Sequence, residues 1–311
     1  GLGIGPESYA YSWLYNQGTQ TPVENNQRET GYEIVHTAYY TKRSSGIFTH
    51  PAHAAYYLEY LLPLALAYLV TVRRAGYRLL FVTLLALGSI ALYLTFSRSG
   101  LVGFAISFIV FLLTAAWSRA MSGRSVVHCI AVLAIALTVT APFLIYSFSA
   151  RDTMSKRFEL MSEGLATFSR RPLFGAGLNN SSTVVEGSIR ISTTAKGPEI
   201  RIQVIHNYYL IMLIEVGIVG CVLFFTFFCH IAWTALRYMR EAEDMIKALL
   251  VGIVPALTAI AVHNLGDPFG GHVVVAMLWL YAGLILAAVR CVRTDAAAPP
   301  MSGQLARAAR P

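Results

Sequence analysis

The chain has 311 residues, of which 56% are hydrophobic and 13% charged, with a formal net charge of +8. Soluble domains carry about 25% charged residues; with a mean hydropathy of +0.56, the composition excludes an ordinary soluble domain and points to a membrane protein. Cys129, Cys221, Cys229 and Cys291 lie apart in apolar stretches with no CxxC pair, which argues against a zinc site or a disulfide framework.

The sequence opens at Gly1 without the charged segment and short apolar core of a signal peptide, which predicts a piece of a longer protein whose first spans lie upstream. Residues 1–50 are too polar to cross a bilayer and form an external segment. Apolar runs of crossing length, about 17–25 residues, then fall at about 54–72, 79–97, 99–117 and 126–148. The second and third meet at "SRSG", a hairpin with almost no loop. Residues 149–205 are again too polar to cross. Three more runs follow at about 207–235, 248–264 and 272–289, and the tail 291–311, rich in Ala, Pro and Arg, is expected to be cytoplasmic and disordered. The fold class is therefore an all-α integral membrane protein, a polytopic bundle with four spans in 51–148 and three in 206–290.

Lysine and arginine are retained on the cytoplasmic side of short loops. Arg73, Arg74 and Arg78, Arg119 and Arg124, Arg237, Arg240 and Lys247, and the C-terminus mark alternate connections, so one topology satisfies all of them. That topology places residues 1–50, Arg98, the loop 149–205 and residues 265–271 outside, in the periplasm of a Gram-negative cell.

Arg98 sits at the outer end of two spans, against this charge rule and at a cost in lipid. Two readings compete: an arginine snorkelling to the outer headgroups, or a grip on an anionic ligand, since the guanidinium fork suits phosphate. The loop 149–205 is itself net basic. Within it Met154, Phe158, Met161, Leu165 and Phe168 recur at spacings of four and three, one stripe of an amphipathic helix. Arg151 and Arg157 border that stripe, which predicts a helix lying on the membrane surface and ending before Pro172; simple interfacial anchoring is the plainer role for Arg157. His206 opens the fifth span, as a polar cap or as a group suited to proton transfer near neutral pH. Glu59 and Glu215, inside spans, are expected to face the bundle and pair with buried donors. His128 and His230 read as structural.

The ordered set "SGIFTHPAHAAYYL", "LTFSRSGLVGF", "KRFELMSEGLATFSRRPLFGAGLNN" and "IQVIHNYYLIMLIEVGIVG" resembles the O-antigen ligase and polymerase family of bacterial membrane glycosyltransferases, over roughly residues 43–228. The resemblance implies an all-helical fold of the lipid-sugar transferase type with more spans than the seven here. It also implies that Arg98, Arg157 and His206 are the residues needed for transfer. "THPAH" departs from the asparagine more usual after that proline. Arg151, Asn207 and Arg43 join as candidate substrate-binding residues.

What the resemblance implies agrees with the residues' chemistry. A glycan on undecaprenyl diphosphate is the donor, and an acceptor hydroxyl on lipid A core or a growing polysaccharide attacks the anomeric carbon as the lipid diphosphate leaves. Arg98 and Arg157 would stabilise the leaving group in place of a metal, since the outer segments lack a DxD motif or a tight acidic pair. His206 would take the hydroxyl proton or bind a phosphate as imidazolium. No cofactor and no nucleic acid is expected; membrane lipids are the other partner. The alternative is a membrane transporter of an anion or a proton-coupled solute, using Glu59, Arg98 and Glu215. Transporters usually show repeated halves with broken spans at matching positions, and no repeat is visible here.

Overall fold

The computed structural model describes residues 45–48, 50–71, 74–123, 127, 151–185, 189–194, 197–202, 204–268 and 272–297. It is a helical bundle. The helices in chain order are α1 (Pro51–Thr71), α2 (Ala75–Leu94), α3 (Arg98–Trp117), α4 (Arg151–Arg170), the short α5 (Ser181–Val184), α6 (Tyr208–Tyr238), α7 (Asp244–His263) and α8 (His272–Ala297). Six of them, α1, α2, α3, α6, α7 and α8, are long and apolar enough to cross a membrane, which makes this a multi-pass membrane protein. They match six of the seven predicted runs. The expected fourth span, 126–148, lies outside the described residues except for Val127, as do residues 1–44 and the end of the tail.

The packing centre is α7, whose most extensive contacts are with α1 and α3. Glycines permit this closeness. A β-carbon at Gly252 would stand 2.8 Å from the Leu64 Cα, and one at Gly103 would stand 2.8 Å from the Ala259 carbonyl oxygen; small residues at such crossings let backbones approach where lipid supplies no hydrophobic drive. The buried core joins Tyr56, Tyr60, Phe111, Ile231, Leu250, Ile253 and Ile285. Tyr60 donates to the Val274 carbonyl at 3.0 Å, and Tyr281 donates to the Tyr60 carbonyl at 2.7 Å, tying α1 to α8. By contrast α2 buries only Leu92 and exposes Leu79, Leu84, Leu87 and Ile90, an apolar surface suited to acyl chains.

α6 is broken at Gly217, where φ is 65° and ψ −172°. A break inside a span frees backbone groups that lipid cannot satisfy. Here the loop after α4 satisfies them. Ala176 and Gly177 donate to the carbonyls of Ile214 (2.7 Å) and Glu215 (2.9 Å), and Ile218 and Val219 donate to those of Pro172 (2.8 Å) and Leu173 (3.2 Å). Only glycine suits position 217, because a β-carbon there would collide with the Leu173 carbonyl as well as face the positive φ. The Glu215 carboxylate accepts the Ser181 amide at 3.2 Å at the start of α5, a part-buried donor where a buried one was expected.

The amphipathic helix α4 forms and ends at Arg170, just before Pro172. Its packed edge is rotated from the expected stripe. Leu160 is buried with Ile205, Leu210, Ile211 and Ile214, with Met161 and Phe168 alongside, and Gly164 admits Ile205 and Leu210. Phe158 and Leu165 remain exposed. The stripe thus divides between a protein contact and an outward apolar edge. The same loop also contains an antiparallel hairpin, β1 (Ile189–Thr194) and β2 (Gly197–Ile202), with Ile191 opposite Ile200; no strand was expected there.

Candidate functional site

The end of α7 reads His263-Asn264-Leu265-Gly266-Asp267. The His263 carbonyl accepts the amides of Gly266 (3.0 Å) and Asp267 (3.2 Å), which curls the chain over the helix end. Elements from across the chain meet on this turn.

From α1, Tyr56 donates its hydroxyl to Asn264 Oδ1 at 2.7 Å and stacks its ring on His263, centroids 3.7 Å apart and 12° from parallel. One helical turn on, Glu59 Oε2 lies 2.6 Å from His263 Nδ1; both side chains are fully buried. At the junction of α2 and α3, Ser97 caps α3 by accepting the Gly100 amide at 3.2 Å and also lies 3.4 Å from His263 Nε2. Ser99 abuts Gly266 closely enough that a β-carbon there would collide with its hydroxyl. From α4, Arg157 Nη1 donates to the Gly266 carbonyl at 3.2 Å. From the start of α6, Asn207 Nδ2 donates to the Leu265 carbonyl at 3.3 Å and the Tyr208 amide donates to the Asn264 carbonyl at 2.9 Å. Asp267 Oδ2 closes the set, 3.4 Å from His263 Nε2.

Two titratable groups here lie outside the spans. Burial, followed by the Arg157 charge, holds the His206 imidazole below its ordinary pKa; Asp267 and a hydrogen bond to the Val204 backbone oppose this without reversing it. Burial pushes the Asp267 carboxyl up. The His263 hydrogen bond and the charges of His263, Arg157 and His206 outweigh it and hold the group below the usual carboxylate range. His206 is therefore predominantly neutral at pH 7, able to accept a proton beside a fixed cation.

Arg157 and His206, far apart in sequence, thus share one electrostatic neighbourhood at the turn. Arg98 is the first residue of α3, half-buried between Ser97 and Ser99, both of which touch the turn. Asn207 has two evident tasks, capping α6 by accepting the Leu210 amide at 3.0 Å and holding Leu265. Arg151 is the first residue of α4, its side chain outside the described residues, and Arg43 lies outside them altogether. His50 accepts the Ala52 amide at 3.1 Å and caps α1. Among the described residues no three His, Cys, Asp or Glu side chains are arranged to hold a metal ion.

Sequence reasoning missed the turn itself. Glu59 was expected to find a buried donor, but His263, Asn264 and Asp267 were not singled out. The available signal was "HNLGD": two titratable residues one helical turn apart, closing an apolar span at the end that also bears Arg98.

Residues 79–225 match the family model described as O-antigen ligase. The match contains Arg98, Arg157 and His206 and stops short of the 263–267 turn. It bears out the likeness read from the motifs, and it supports, in general terms, an O-antigen ligase-like function of the glycosyltransferase type. No curated protein matches the chain.

Proposed function

We propose, on the premise of this O-antigen ligase match over residues 79–225, that the protein moves a glycan from a lipid diphosphate to an acceptor hydroxyl at one face of the membrane. The observation that carries the reading is the convergence of Arg157, a neutral His206 and the Arg98 end of α3 around the turn closing α7. The donor is undecaprenyl-diphosphate-linked glycan and the acceptor lipid A core or growing polysaccharide. The site faces the periplasm from the inner membrane, the side on which the alternate basic loops leave Arg98.

In the reaction, His206 removes the acceptor hydroxyl proton as the oxygen attacks the anomeric carbon. The bond to the diphosphate breaks, and its charge grows toward Arg98 and Arg157. Fixed cations in a site of low dielectric stabilise that charge without reorganising. The first-turn amides of α3 add to the same field, since a helix N-terminus is electropositive. No step calls on a metal. His206 is read as a base rather than an imidazolium contact because burial and Arg157 favour its neutral form.

The broken span at Gly217 is the feature a transporter would share, but its freed backbone groups are taken up by residues 172–177. The test is product formation by purified protein given a lipid-diphosphate-linked glycan and acceptor, against solute flux in proteoliposomes. Transferred glycan supports the reading; flux without transfer overturns it.

A further inference from the structure

We infer that Glu59 and His263 are positioning residues of this site: the buried pair holds Asp267 so that its carboxylate faces His206 and sets the basicity of that imidazole. The inference rests on the transferase reading for the use made of His206; the geometry stands apart from it.

A glutamate and a histidine facing each other inside a membrane bundle are costly to bury, and apolar side chains of like volume would pack the same space. What distinguishes this pair is its direction. Glu59 Oε2 meets His263 Nδ1 at 2.6 Å, and the opposite ring nitrogen, Nε2, meets Asp267 Oδ2 at 3.4 Å. When protonated, the imidazole donates from both nitrogens and stands as a cation between two carboxylates, leading from the bundle interior to its end. The ring is fixed on its face by Tyr56. Glu59 is fixed in turn: its Oε1 is buried at Gly103, where a β-carbon would stand 2.5 Å away.

The far end of the chain is tied to the candidate site. Asn207 and Tyr208, adjoining His206, bond to Leu265 and Asn264, and Arg157 bonds to Gly266. These ties hold Asp267 near enough for its charge to act on His206. The other described groups facing the pair are His53, Tyr56 and Tyr60 from α1, with the Ser97 hydroxyl from the junction of α2 and α3. When His206 takes the acceptor proton it becomes an imidazolium, and a carboxylate facing it lowers the cost of that charge. This is the part a third residue plays for a catalytic histidine elsewhere, reached here through a histidine buried in the membrane.

The experiment reads His206 directly. Diethylpyrocarbonate modifies neutral imidazole, so the extent of modification at His206, followed by peptide mass spectrometry across pH on the full-length purified protein, gives its midpoint. Removing a nearby carboxylate favours the neutral form, so Asp267→Asn should lower the midpoint. Glu59→Gln and His263→Gln should lower it in the same direction by a smaller step. A merely structural pair would change yield or melting temperature and leave the midpoint alone. Folded Glu59→Gln and His263→Gln proteins with the wild-type midpoint overturn the inference. Should neither accumulate, an unmoved midpoint in Asp267→Asn overturns it and a lowered one supports it. Absence of transfer by the wild-type protein, with the midpoints moving as stated, would refute the transferase reading and leave this one standing.

Discussion

Arg157 has two roles at the turn, and they separate experimentally. Its Nη1 is engaged by the Gly266 carbonyl at 3.2 Å, which fixes the guanidinium plane and leaves the remaining N–H groups for an anion. Arg157→Lys keeps the charge and loses the fork. A hydrogen bond to a charged group contributes about 1.5–3 kcal/mol, so losing one to the departing diphosphate should slow transfer roughly ten- to a hundredfold. Arg157→Gln removes the charge as well. Because that charge holds the His206 pKa down, its loss should raise it, and the acid limb of the pH–rate profile should move to higher pH. The sign follows from the role: a base works when neutral, so activity is lost as pH falls through its pKa, and a raised pKa brings the loss nearer neutrality. The assay is transfer from a lipid-linked donor at matched protein amounts across pH. Wild-type rates in Arg157→Lys, with no movement of the limb in Arg157→Gln, would refute both roles and leave an arginine that only braces a turn.

Gly217→Ala should lower the melting temperature of the purified protein and its amount in the membrane, because non-glycine residues at positive φ cost about 1–2 kcal/mol and the added carbon meets the Leu173 carbonyl; unchanged stability would mean the loop at 172–177 is not held in the break. Single cysteines at Ser122 and Glu243 should be shielded from an impermeant thiol reagent in intact cells, while one at the exposed Ser162 on α4 reacts; the reverse pattern would invert the orientation and remove the external site. Transfer should survive excess EDTA, and its loss with restoration by magnesium or manganese would contradict leaving-group stabilisation by arginine alone.

Much of this was legible in the sequence because membrane crossing sets a strict length. Apolar runs located six helices to within a few residues, except that α8 extends further at its C-terminal end. Arg98 and Arg157 stood out because cations at apolar ends need a reason, and His206 because it opens a span. The turn to which Arg157 and the neighbours of Arg98 and His206 are bound was hidden. Glu59 and His263 lie 204 positions apart, so nothing local in either segment reveals the other. Gly217 reads as one small residue among several in "EVGIVG", and its need for positive φ comes from a loop some forty residues upstream. The rotation of α4 was also out of reach, since periodicity locates an apolar face and cannot tell a protein contact from a lipid one.

The most direct test of the proposed site pairs Arg98→Lys with His206→Ala in transfer from a lipid-diphosphate-linked glycan by purified protein. Lysine reaches headgroups as well as arginine does, so a snorkelling Arg98 tolerates the change, whereas a bidentate grip on diphosphate does not. The expected result is a loss of about ten- to a hundredfold in Arg98→Lys and no measurable transfer in His206→Ala, both proteins reaching wild-type amounts in the membrane. Wild-type rates in the two variants together would contradict the site.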